Sequence, residues 1–220
     1  MIAAFAVFLA AHVIPMRPRL RDGLIARLGR RGYILCYSLL SLGLLYWLLM
    51  AAGRAPFIEL WPHARWQRWL ANLAMPVAIG LGVFAIGARN PFAFGGTAAG
   101  FEAARPGIVG LTRHPLMWAF AIWAGVHLLA NGDLAHALLF GPLLAFALSG
   151  VAAAEARARR SLPGFARLAA TSSVVPGAAL LTGRWRPAGP PPFGRLMLAV
   201  LVWAVLWYLH APVIGASPQP

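Results

Sequence analysis

The sequence predicts an all-α fold: a polytopic transmembrane helical bundle of about six spans, with the N- and C-termini outside. Three observations carry this. Of the 220 residues 60% are hydrophobic and only 11% are charged, and the mean hydropathy is +0.72. A soluble domain has about a quarter of its residues charged, so a chain this poor in charge cannot clothe a water-facing surface. Apolar runs recur at 2–14, 33–52, 69–88, 115–131, 134–153 and 195–215, most of them close to the roughly 17–25 residues a helix needs to cross a bilayer. The connections between the runs alternate in positive charge.

The arginines fix the order of the elements. The segment after the first run holds Arg17, Arg19, Arg21, Arg27, Arg30 and Arg31, whereas the next connection holds only Arg54, Arg65 and Arg68. Arg89, Arg105 and Arg113 follow the third run, and Arg157, Arg159, Arg160, Arg167, Arg184, Arg186 and Arg195 lie between the fifth and the last. The arginine-rich side is cytoplasmic by the positive-inside rule. This topology also accounts for the formal charge of +14, with membrane lipid rather than nucleic acid as the partner. The first run is short, and no basic residue precedes it, which is the reverse of a secretory signal. Residues 89–114 are turn-rich around Asn90-Pro91-Phe92-Ala93-Phe94-Gly95-Gly96. Residues 154–194 open on a charged helical extension and close on Pro187-Ala188-Gly189-Pro190-Pro191-Pro192, a stiff entry to the last span. At 23.5 kDa, residues 1–220 are expected to form a single membrane domain. The lone Cys36 excludes a disulfide framework, a CxxC zinc knuckle and a CxxCH site for covalent haem.

Ionisable groups at membrane depth are functional candidates, and carboxylates are almost absent from the spans. The histidines remain: His12, His63, His114, His127, His136 and His210. A neutral imidazole is tolerated in an apolar site and ligates metals or haem iron. His12, at the inner end of the first span, is either such a ligand or a structural imidazole bonded to a neighbouring carbonyl. Arg113 and His114 precede Pro115, which suits a first helical turn; with free backbone donors they would make an anion or head-group site. Trp123, His127 and Asn131 recur at i+4 and form one stripe, with Asn131 placed to orient the imidazole. His127 is therefore a ligand or an interface anchor. His63, His136 and His210 fall near the outer face, where anchoring is expected.

The ordered set of His12, Thr112-Arg113-His114-Pro115, Ile122-Trp123 with His127, Asn131-Gly132-Asp133 and Thr171-Ser172-Ser173-Val174-Val175-Pro176 resembles the NnrU family over about residues 1–185. These are bacterial integral membrane proteins linked to nitrite and nitric oxide reduction and related to the plant zeta-carotene isomerase. The resemblance implies a non-covalent haem b with His12 and His127 as axial ligands to the iron; among the other histidines His114 is the fallback. It also implies redox or isomerase-like chemistry in the bacterial inner membrane. The isomerase has a cysteine three residues before the matching histidine; here that residue is Ala124, so a Cys-for-His ligand exchange is not implied. Thirteen residues separate His114 from His127, about 20 Å along a helix. A shared iron for His12 and His127 therefore needs a tilted or deeper first helix, or else the pair is different.

Two other functional classes stay open. Arg113-His114-Pro115 with Glu155 also resembles membrane methyltransferases that use S-adenosylmethionine. Met117 replaces their tyrosine, however, and Ala156 replaces the second acid of their Glu-Glu pair. A non-catalytic assembly factor for denitrification enzymes is the third class. Arg113, His114 and Glu155 are expected to form a polar cluster at the cytoplasmic face that binds a substrate head group or locks the long loop. A polyene or other apolar substrate is the expected ligand of the spans. Small-residue faces would admit a second copy of the chain.

Overall fold

A computed structural model of the chain describes residues 2–13 and 17–220. Among them the helices are α1 (Ile2–Val13), α2 (Pro18–Gly53), α3 (Arg65–Ala85), α4 (Ile108–Leu111), α5 (Pro115–Asn131), α6 (Leu134–Ser161), α7 (Phe165–Ala169), α8 (Ala178–Leu181) and α9 (Phe193–Ile214). Each of the six apolar runs has its helix, although α3 ends at Ala85, short of the predicted 88, and α9 at Ile214; the predicted end of the first run, at residue 14, lies outside the described residues. Helices α2, α3, α6 and α9 are long and apolar enough to cross a membrane, whereas the apolar helices α1 and α5 are shorter. Pro115 and Gly132 bound α5 closely on either side. The all-helical class predicted from composition is the class observed. The long helices turn outward the side chains that water would reject: Leu42 is 63% exposed, Leu73 67% and Tyr208 76%. Such faces belong against lipid, and the protein is a membrane protein.

The chain divides into two compact units. In the first, Met1–Pro62 with Asn131–Leu139, α1 packs along α2 around Ala4, Phe8, Leu48 and Ala52, all buried. The arginine-rich segment expected before the second span is itself helical. Gly29 (φ 69°, ψ 163°) interrupts the helical path there and separates the charged first part of α2 from its apolar remainder. At the other end of this unit, Leu60 and Trp61 donate their amides to the Gly132 carbonyl, and Leu134 donates to Ile58. Gly132 sits at φ +67°, and a Cβ there would meet the Trp61 carbonyl, so this tight junction requires glycine. Asp133 then caps α6. Its Oδ1 accepts from the His136 amide at 3.1 Å and its Oδ2 from His136 Nδ1 at 2.6 Å. His136, expected to be an interface anchor, is thus engaged in a helix-capping pair.

In the second unit, His63–Ala130 with Phe140–Pro220, α3 packs on α9. One amide ties them. Trp207 Nε1 donates to Asn72 Oδ1 at 3.0 Å, while Asn72 Nδ2 donates to the carbonyls of Arg68 and Pro218. A side-chain amide at membrane depth is tolerated when its hydrogen bonds are made inside the protein. Near the charged end of α6, Phe92, Val109, Ala158, Leu168 and Ala169 form a buried cluster, with Phe101 and Phe165 packed against it. The turn-rich segment 89–114 folds onto this cluster instead of running free, and it brings Arg113 beside the aromatic rings.

Candidate functional site: a buried arginine clasp and anchored histidines

Arg113 enters the protein between α4 and α5 and lies beside two phenylalanines. Its guanidinium carbon is 5.6 Å from the Phe92 ring centre and 5.9 Å from that of Phe165, so its flat faces are dry. All three of its nitrogens donate. Nε and Nη2 donate to the two Glu155 oxygens, each at 2.9 Å, and Nη1 donates to the Ser172 carbonyl at 3.1 Å. A bidentate Arg–carboxylate pair of this kind joins charge to direction. Glu155 also accepts from His114 Nε2 at 3.1 Å and from Arg159 Nη2 at 2.8 Å. The Arg113 and Glu155 side chains are 7% and 10% exposed and His114 is 1% exposed, whereas Arg159 reaches out at 59%. Burial pushes the His114 imidazole below its ordinary pKa against the opposing pull of Glu155, so the ring is neutral and donates Nε2–H to the carboxylate.

The backbone around the clasp is equally committed. The Arg113 amide donates to the Ser173 carbonyl at 2.8 Å, and the His114 amide donates to Thr112 Oγ1 at 3.3 Å. Thr112 Oγ1 and Trp118 Nε1 both donate to the Val174 carbonyl, each at 2.8 Å. The Arg113 guanidinium and the Arg113 and His114 amides are therefore already bonded to protein acceptors. Arg113, His114 and Glu155 are brought together as expected, and Ser172 and Asn90 complete the arrangement. Asn90 Nδ2 donates to the Arg113 carbonyl while its Oδ1 accepts from the Phe92 amide. The Asn90-Pro91 turn signal marked this residue, but nothing in the spacing indicated that its side chain reaches Arg113.

A cavity of about 470 Å³ opens beside the clasp, lined by His114, Arg113, Asn90, Met117 and Ala154.

The remaining histidines follow a common pattern. His12 Nδ1 donates to the Phe8 carbonyl at 2.7 Å, and its ring lies against Phe8 and Tyr37 in the first unit. In the second unit His127 Nδ1 donates to the Trp123 carbonyl at 2.8 Å. The ring of His127 lies 5.6 Å from that of Trp123 and 5.2 Å from that of Phe140. A carbonyl can only accept, so each neutral imidazole carries its proton on Nδ1 and its lone pair on Nε2. The orienting group at His127 Nδ1 is thus a backbone carbonyl of its own helix. His210, expected to be an anchor, brings its ring to 6.3 Å from His127 at an interplanar angle of 25°. Its own Nδ1 donates to the Ala216 carbonyl at 2.7 Å. That neighbour was invisible in the sequence because it comes from the last helix, 83 positions away. Among the described residues no group of three or more His, Cys, Asp or Glu side chains is placed to hold a metal ion.

The NnrU protein family matches residues 1–218, essentially the whole chain. The protein belongs to the NnrU family. The match extends beyond residue 185, the limit of the resemblance read from the motifs, and takes in α9 with His210. No curated protein and no solved structure matches the chain. In this NnrU-family chain the Thr112-Arg113-His114-Pro115 and Thr171–Pro176 motifs are the two halves of one hydrogen-bonded arrangement. Asn131-Gly132-Asp133 is the glycine junction and cap that start α6.

Proposed function

We propose that this NnrU-family membrane protein binds haem b in the bacterial inner membrane, with His127 as an axial ligand. Its chemistry would serve nitrite and nitric oxide reduction or carotenoid-type double-bond isomerisation of an apolar substrate. The observation that carries the reading is the Nδ1–H of His127 given to the Trp123 carbonyl. That bond fixes the ring, selects the Nε2 lone pair and raises its basicity, as the hydrogen bond on the far nitrogen of a metal-bound histidine does. A donor set of one or two imidazoles suits haem iron. Bound there, haem would supply an iron that changes redox state and interacts with a π-system or a small nitrogen oxide. The chain's own residues orient the imidazole through Trp123 and shield it from water with the rings of Trp123 and Phe140. The second imidazole is either His12, anchored in the same manner within its own unit, or His210 beside His127. His114 is the weakest ligand of the set, because its Nε2 is committed to Glu155.

In the same reading the whole chain acts as one membrane domain with both termini outside, and the Arg113–His114–Glu155 cluster locks the loops rather than holding a head group. Absorption spectra of detergent-purified protein, oxidised and then reduced, test the proposal. A Soret band with visible bands that sharpen on reduction, lost in His127→Ala, is expected. Parallel spectra of His12→Ala and His210→Ala identify the second ligand. Wild-type protein that stays colourless after haem is added, or a His127→Ala spectrum identical to wild type, would overturn it.

A further inference from the structure

The ends of α3 and α9 enclose a second feature, independent of the histidines. A hollow of about 490 Å³ is walled by Phe84, Ile108, Trp185 and the Pro190–Pro192 segment, and Arg105 and Arg186 stand at it. A second hollow of about 470 Å³ adjoins it, shares Phe84, Arg105, Ile108 and Pro192, and adds Arg89, Arg195 and Glu102. The floor is rigid. Arg195 Nη1 donates to the Phe84 carbonyl at 2.9 Å and ties the start of α9 to the end of α3. Arg89 Nη1 donates to the Gly100 carbonyl at 3.0 Å. The Trp185 indole lies so close to Gly110 that a Cβ there would run into it. Arg105 and Arg186, by contrast, are exposed, and neither makes a side-chain hydrogen bond or ion pair among the described residues.

The groove therefore joins an apolar wall to two uncommitted guanidiniums, with positive charge outweighing the single Glu102. It sits where two membrane-crossing helices end on the arginine-rich side, the depth at which lipid phosphates lie. Guanidinium matches phosphate geometry through paired N–H donors, and an indole suits the membrane–water boundary. We propose that this groove binds an anionic phospholipid. Its phosphodiester is held by Arg105 and Arg186, and its acyl chains lie along Phe84, Ile108 and Trp185.

Native mass spectrometry of the purified full chain, titrated with phosphatidylglycerol or phosphatidylcholine, tests this. Wild type is expected to retain phosphatidylglycerol in preference to phosphatidylcholine, and Arg105→Gln/Arg186→Gln to bind it about tenfold more weakly. The equal charge loss Arg65→Gln/Arg68→Gln, at the opposite end of α3, is expected to leave binding intact. Circular dichroism verifies the fold of each variant, and the single substitutions are read in place of the pair if the pair does not fold. Equal retention of both lipids, unchanged binding in the groove variants, an equal loss in the control pair, or displacement of the lipid by inorganic phosphate would each overturn the proposal.

Discussion

Glu155→Gln is the most informative single change, because it keeps the volume of the side chain and removes only its charge and half of its acceptor capacity. In the native clasp both carboxylate oxygens receive charged donors from Arg113 at 2.9 Å while His114 and Arg159 also donate. A glutamine has one acceptor oxygen, and its NH₂ would face a guanidinium that also donates. Arg113 would then be a buried cation without a counter-charge, with only Arg159 at its edge reaching solvent. Breaking a buried pair by removing one partner costs roughly 3–5 kcal/mol, whereas an exposed pair is worth about 0–1 kcal/mol. For a chain of this size about 2–4 °C accompanies each kcal/mol, so Glu155→Gln is expected to lower Tm by about 6–20 °C. Arg159→Gln, whose side chain is 59% exposed, is expected to lower it by less than about 4 °C. The nine tryptophans provide an intrinsic fluorescence signal for thermal unfolding in detergent. Equal small shifts in both variants would refute the view that the clasp holds the loops together.

Two further outcomes follow from the same geometry. Burial holds the folded-state pKa of His114 below the ordinary 6.5, so the stability tied to its neutral form is complete above that value. It is lost as pH falls from about 6.5 toward the lower folded-state pKa; His114→Gln should flatten the decline of Tm between neutral and mildly acidic pH, and an unchanged slope would contradict this. Gly132→Ala should destabilise by at least about 1–2 kcal/mol, the cost of a left-handed conformation with a side chain, plus the clash with the Trp61 carbonyl; a Tm equal to wild type would show that the junction relaxes.

What the sequence made legible was the part governed by one-dimensional rules. Charge scarcity and the arginine alternation are sums along the chain, so the helical membrane class could be read directly, and the helix start at Pro115 followed from the proline itself. Arg113, His114 and Glu155 were recognised as a set through their motif resemblance, but their function as a self-satisfied clasp depended on Ser172 and Asn90. Those partners lie 59 and 23 positions away, and no local periodicity encodes such distances. His210 shows the same limit: its type suggested an interface anchor, and only the course of α9 brings its ring to His127. The Trp123 carbonyl that holds His127 Nδ1 was hidden for a different reason. A backbone carbonyl four residues earlier is an acceptor whatever the sequence, so it leaves no trace in residue types.

The segment from Thr171 to Pro176 carries one more consequence. It is gripped largely through its backbone: the carbonyls of Ser172, Ser173 and Val174 receive Arg113, Thr112 and Trp118. A carbonyl is the same whichever side chain stands beside it. At the two valines the burden of selection is thus displaced to the gripping residues. Val174 and Val175 are free to drift among residues that keep the chain path, while Thr112, Arg113 and Trp118 are not. A clasp of this design can stay mechanically constant while Val174 and Val175 change, provided Ser172 and Ser173, whose hydroxyls are themselves hydrogen-bonded, are kept.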